Sequence, residues 1–155
     1  MMSGFQVTGI STEIADRARE TMRSPQYGHP AYEEVLTESS PCRHCLRLIC
    51  AGERALLFTY DPFVGDARPL PGPIYIHSEA CERYRESANF PEELRASPRT
   101  LAAYGSERRM ILETLVPADG DFDAAMLAIA TNPDVNYVHV RSTAAGCFTF
   151  RASRV

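Results

Sequence analysis

The chain has 155 residues, 45% of them hydrophobic and 23% charged, with a formal net charge of -4. That length encloses one hydrophobic core, so a single domain over 1–155 is expected, and the net acidity opposes nucleic acid as a partner. No apolar run approaches the roughly 20 residues a membrane helix needs, and "MMSGFQVTGIS" lacks the charged and apolar regions of a secretory signal, so a cytoplasmic protein without membrane contact is expected.

Elements follow from local pattern. "FQVTG" (5–9) reads as a strand. A helix is predicted over 11–22, with Ser11 or Thr12 as N-cap and Glu13 in the first turn, where the dipole favours an acid. Ile14, Ala18 and Met22 recur at helical spacing and are assigned to the core. "YEEVLTE" (32–38) is a strand leading to the first cysteine pair. "ERALLFTYDPF" (53–63) and "IYIH" (74–77) are two apolar runs able to pair antiparallel across the proline-rich loop 62–73. "SEACERYRES" (78–87) is predicted helical from Ser78, and "PEELRAS" (91–97) as a short helix with Pro91 first. Residues 99–116 read as a hairpin turning at Gly105-Ser106. Residues 121–133 read as a helix with Phe122, Ala125, Met126 and Ile129 on one stripe, ended by Asn132-Pro133. The last segment, "NYVHVRSTAAGCFTFRAS", alternates and reads as a terminal hairpin. Helices and antiparallel strands in mixed order indicate an α+β fold, an antiparallel sheet with a few packed helices.

Five cysteines in a reducing compartment do not suggest a disulfide framework. Their placement is more informative. Cys42 and Cys45 form a CxxC pair, which presents two sulfurs to one ion from a tight turn and is the common zinc half-site. His77 and Cys81 lie four apart, so at a helix start they share a face. Turn, strand, loop, strand and helix entry is the order of a treble-clef-like CxxC/HxxxC zinc module, with Cys42, Cys45, His77 and Cys81 as ligands. The 31 residues between Cys45 and His77 exceed the spacing of compact zinc fingers, and buried cysteines also pack as small hydrophobes. His44, inside the turn, is assigned to the surface, and Cys50, in "LRLIC", to the core. A thiol-enzyme reading competes: Cys81 as nucleophile near a helix N-terminus, with His77 as its base. It leaves Cys42 and Cys45 idle.

The terminal hairpin is a second candidate site. A five-residue loop (142–146) pairs Arg141 with Cys147, His139 with Thr149 and Tyr137 with Arg151. Val138, Val140, Phe148 and Phe150 then share a core face, and Tyr137, His139, Arg141, Cys147, Thr149 and Arg151 the other. That second face is either the wet side of a sheet or an anion-recognition surface, with two arginines and a histidine able to hold a carboxylate or phosphate.

"PCRHCL", "GE" before an apolar strand and "YDPF", "GPIYIH" with a following cysteine and "RY", and finally "YVHVR" and "GCFTFR" together resemble the bacterial domain of unknown function family 1203. The resemblance spans nearly the whole chain, more loosely over 85–120, and implies a small single-domain bacterial protein with no assigned reaction. Three functions follow as expectations. The first is a domain stabilised by structural zinc that binds a small anionic ligand or a protein partner. The second is a small enzyme with His139 as acid/base and Arg141 or Arg151 as anion clamp. The third is a nucleic-acid or regulatory module, opposed by the acidity.

Overall fold

The computed structural model describes residues 4–63 and 66–155, so positions 64–65 of the predicted proline-rich loop lie outside the described residues. In chain order the elements are β1 (Phe5–Thr8), α1 (Thr12–Thr21), β2 (Tyr32–Val35), β3 (Ser40–Pro41), β4 (Leu48–Ile49), β5 (Arg54–Tyr60) and β6 (Gly72–His77). After these come β7 (Arg99–Tyr104), β8 (Met110–Val116), α2 (Phe122–Ala130), β9 (Tyr137–Ser142) and β10 (Phe148–Arg154). Every paired strand is antiparallel, which is the α+β class expected. Contacts divide the chain into two compact units, Gly9–Arg83 and the residues up to Thr8 with Tyr84–Val155. Among the described residues no helix is long and apolar enough to cross a membrane.

In the Gly9–Arg83 unit, α1 begins where the Ser11 hydroxyl accepts a hydrogen bond from Ile14 N, satisfying one of the amides a first turn leaves open. Ala15 and Ala18 are buried, Ile14 is half-buried and Met22 is exposed, so the inner face lies beside the predicted stripe. Met22 has left the helix in a left-handed conformation at φ 54°, which turns its side chain outward. β5 lies between β2 and β6, and its register with β6 runs from Ala55 opposite His77 to Tyr60 opposite Gly72. Leu56 and Phe58 of β5 and Ile74 and Ile76 of β6 are buried on that ladder.

Residues 78–87 form no helix, contrary to the sequence pattern. Ser78 N instead donates to Arg54 O at 3.2 Å, prolonging the β5–β6 ladder. The His77 carbonyl takes a hydrogen bond from Arg19 Nε at 3.1 Å, Cys81 Sγ lies 3.8 Å from Cys42 Sγ, and Arg83 Nη2 donates to Gly9 O at 2.8 Å, so tertiary partners and not a helical ladder fix the course of this segment.

The other unit is built on a five-stranded sheet in the order β1-β10-β9-β7-β8. Phe5, Val7, Leu101, Ala103, Val138, Val140, Phe150 and Ala152 are its buried apolar residues on one side of the ladder. Phe90 stacks on Phe122 of α2 at 4.4 Å and meets Phe150 edge-on at 5.2 Å, which ties the helix to the sheet. Met126 and Ile129 are buried with Phe122, as the α2 stripe predicts, and Asp121 caps the helix by accepting from Ala124 N. Residues 91–97 tighten only into a 3-10 turn over Glu92–Leu94, with Pro91 just before it. The hairpin of β7 and β8 forms as predicted.

The terminal hairpin forms with a different register. Its loop is 143–147, Phe148 lies opposite Arg141, Phe150 opposite Val140 and Arg151 opposite His139. Thr149 is the extra residue of a β-bulge, so two residues of β10 oppose one of β9. Val138, Val140 and Phe150 keep the core side, whereas Phe148 packs edge-on against His139 at 5.0 Å. A flat ladder would have put both phenylalanines on one side. The bulge lets each bury its ring on a different one.

Candidate functional site

The two short strands β3 and β4 close a tight turn around the CxxC pair. Cys42 N donates to Arg47 O and Leu46 N to Cys42 O, both at 2.8 Å, and Leu46 takes φ 58°. This knuckle faces the end of β6, because Arg43 N donates to Tyr75 O at 3.1 Å. His77 ends β6, and Cys81 returns on the non-helical segment after it. The ligand atoms of Cys42, Cys45, His77 and Cys81 all lie within 4.8 Å of one another. A tetrahedral ion with Zn–S near 2.3 Å and Zn–N near 2.0–2.1 Å separates two sulfurs by about 3.8 Å and sulfur from nitrogen by about 3.5–3.6 Å. Cys42 Sγ and Cys81 Sγ are 3.8 Å apart, and Cys45 Sγ and His77 Nδ1 are 3.5 Å apart. The cluster therefore has the composition and the edge lengths to hold a metal ion. Three soft thiolates and an imidazole suit zinc better than a hard, oxygen-seeking cation.

Hydrogen bonds among the clustered residues and with His44 shift where their protons sit. Hydrogen bonds from Cys42, Cys45, His44 and His77 hold the Cys81 thiol far below its ordinary range. Hydrogen bonds to Cys42 and then Cys81 hold the His77 proton on up to about 10. Cys45 moves the other way, raised by its bonds to Cys42 and Cys81 and by burial. Backbone His77 N also donates to Cys42 Sγ at 3.3 Å.

Two assignments near the knuckle are corrected. His44 is fully buried, with Nδ1 3.2 Å from Cys81 Sγ and Nε2 2.9 Å from Thr12 Oγ1. Cys50 is exposed, because β4 ends at the fully buried Ile49 and the chain turns away there. The helix that was to sharpen Cys81 as a nucleophile is absent, so that part of the thiol-enzyme argument lapses.

A family model described as protein of unknown function, DUF1203, matches residues 39–154. The chain belongs to that family. No curated protein and no solved structure matches it. The DUF1203 match takes in all four clustered residues and the terminal hairpin, and begins after α1.

The second candidate site lies on the side of the five-stranded sheet that carries His139. Ladder pairing sets Ala102 opposite His139, Tyr104 opposite Tyr137 and Thr100 opposite Arg141. Tyr104, Tyr137 and Phe148 rings surround the imidazole at 5.5, 5.1 and 5.0 Å. His139 is fully buried, and burial, then the charges of Arg141, Arg151 and Arg108, push its pKa down to about 3. The Arg151 guanidinium lies 3.8 Å over the Tyr137 ring, with Nε donating to Ser153 Oγ. Arg141 Nη1 donates to Gly146 O at 3.3 Å, while its Nη2 is buried with no hydrogen-bond acceptor. Thr149 Oγ1, on the extra residue of the bulge, is also buried without a partner.

Tyr137, His139, Arg141 and Arg151 are thus brought together, and the bulge moves Arg151 from its expected place opposite Tyr137 to one opposite His139. Cys147 is not brought in. It sits in the loop with Sγ 3.9 Å from Ala145 O, and Phe148 takes the place opposite Arg141. The roles of Arg19, Thr12 and Arg108 at these sites had no signal in the sequence, because the groups they act on are remote along the chain: His77 and Cys81 for Arg19, His44 for Thr12 and His139 for Arg108.

Proposed function

We propose that this DUF1203 chain is a domain stabilised by structural zinc that binds a small oxyanion on the His139 side of its five-stranded sheet. Four protein ligands close a tetrahedral sphere and leave no position for an activated water, which makes the metal a folding element and not a reactant. One observation carries the binding half: Arg108, Arg141 and Arg151 act together on a neutral, buried His139, and Arg141 Nη2 has no acceptor. Neither Arg141 nor Arg151 is paired with a carboxylate among the described residues. Grouped guanidinium charges repel each other, and an oxyanion relieves that repulsion while accepting from the fork. The acid–base reading lacks comparable support, since His139 is fully buried and held neutral.

The test combines metal analysis with ligand titration. Purified protein is expected to carry one zinc per chain. Its melting temperature is expected to rise in phosphate or sulfate relative to chloride at equal ionic strength, and Arg141→Gln and Arg151→Gln are each expected to abolish the rise. An equal response in wild type and both variants refutes the anion site, and a metal-free protein with unchanged melting in chelator refutes the zinc.

A further inference from the structure

We infer that α1 completes the metal centre: Arg19, together with the His44–Thr12 pair, holds Cys81 in place as a metal-bound thiolate. The inference rests on the metal reading above. Three thiolates and a divalent ion leave one negative charge in excess, and a cation, Arg19, reaches the cluster. Its side chain is only 11% exposed. Nη2 donates to Cys81 Sγ at 3.3 Å while Nε donates to the His77 carbonyl at 3.1 Å. One planar fork therefore spans two of the four ligand residues, and a lysine ammonium cannot copy that geometry.

His44 approaches the same sulfur from the knuckle. A metal-bound thiolate only accepts, so His44 Nδ1 carries the hydrogen at 3.2 Å from Cys81 Sγ. Nε2 is then left with a lone pair, and the Thr12 hydroxyl 2.9 Å away donates to it. The first turn of α1 thereby sets the tautomer of a histidine that in turn orients a ligand.

The chain ahead of α1 is held against the knuckle by its backbone. Ile10 N donates to Arg43 O at 2.9 Å, and Arg83 Nη2 donates to Gly9 O at 2.8 Å. A Cβ at Gly9 would stand 2.3 Å from His44 O and 2.8 Å from Arg43 O, so only glycine permits this approach. These outer contacts come from residues 9–19, ahead of the stretch that the family model matches.

The full-length protein, loaded with zinc or with cobalt(II), provides the test. Zinc affinity is measured by competition with a chromogenic chelator, and the sulfur-to-cobalt charge-transfer band reports the thiolates. Arg19→Gln and His44→Phe are expected to weaken zinc binding about 10–100-fold and to shift the band, while circular dichroism of the loaded protein stays unchanged. His44→Asn, whose amide can still donate to Cys81, is expected to recover most of the affinity, and Arg19→Lys to fall between Arg19→Gln and wild type. Thr12→Val is expected to weaken binding less than His44→Phe, and Arg17→Gln, on the exposed side of α1, to change nothing. Wild-type affinity and an unshifted band in Arg19→Gln and His44→Phe overturn this inference alone. A wild-type chain that takes up neither metal overturns the metal reading and this inference with it.

Discussion

The pH dependence of stability isolates His139. In the folded chain its imidazole titrates near 3, against an ordinary value of 6.5, because burial and three arginine charges oppose a further positive charge. Between those two values the unfolded chain binds one more proton than the folded one, so folded stability falls as pH drops below 6.5. Above 6.5 both states carry a neutral ring and the residue contributes no slope. The expected slope is about 1.4 kcal/mol per pH unit, which amounts to roughly 2.7 kcal/mol between pH 6.5 and 4.5 and about 4–5 kcal/mol by pH 3. His139→Phe removes the titrating nitrogen and keeps a ring among Tyr104, Tyr137 and Phe148. Urea unfolding of wild type and variant at half-unit intervals from pH 8 to 4.5, in chloride, gives the two curves. The metal ligands titrate in both proteins and cancel in the difference. Wild type is expected to lose about 2–3 kcal/mol relative to the variant over the acid half of the range, and nothing over the alkaline half. Parallel curves refute the burial argument, and a wild type that gains on acidification shows a ring stabilised as the cation.

Chelation with a strong zinc ligand is expected to lower the melting temperature of wild type, and Cys42→Ser to lower it without chelator, whereas the exposed Cys50→Ser leaves both melting and metal content unchanged by calorimetry and metal analysis. Gly9→Ala forces a methyl onto the His44 carbonyl and is expected to cost about 1–3 kcal/mol in urea titration, at the upper end because a backbone atom cannot rotate away. Phe150→Ala empties a fully buried site beside Phe90 and is expected to cost about 3–5 kcal/mol by the same assay, with a smaller loss if the sheet and α2 collapse inward.

Much of the scaffold could be read before any coordinates. The α1 and α2 spans, the β5–β6 pairing and the β7–β8 hairpin follow from periodicity and turn residues, which are properties of a few consecutive positions. The CxxC turn and HxxxC spacing named the metal-competent side chains for the same reason, since each half-site is local. Strand registers and outer contacts are not local. A continuous alternation over 137–151 is compatible with several pairings. The bulge at Thr149 was selected by where the Phe148 and Phe150 rings bury, a choice made by neighbouring strands and not by the hairpin itself. The segment 78–87 carries helix-compatible residues, but a short helix forms only when its backbone groups are available to one another. Here Cys81 is drawn to Cys42 and His44 and Arg83 to the Gly9 carbonyl, so tertiary contacts override a marginal local propensity. His44 and Arg19 show the limit most clearly. Nothing around either residue announces a buried donor to Cys81. That role exists only because the chain near Gly9 comes within van der Waals reach of the knuckle, 35 positions away, and places α1 against it.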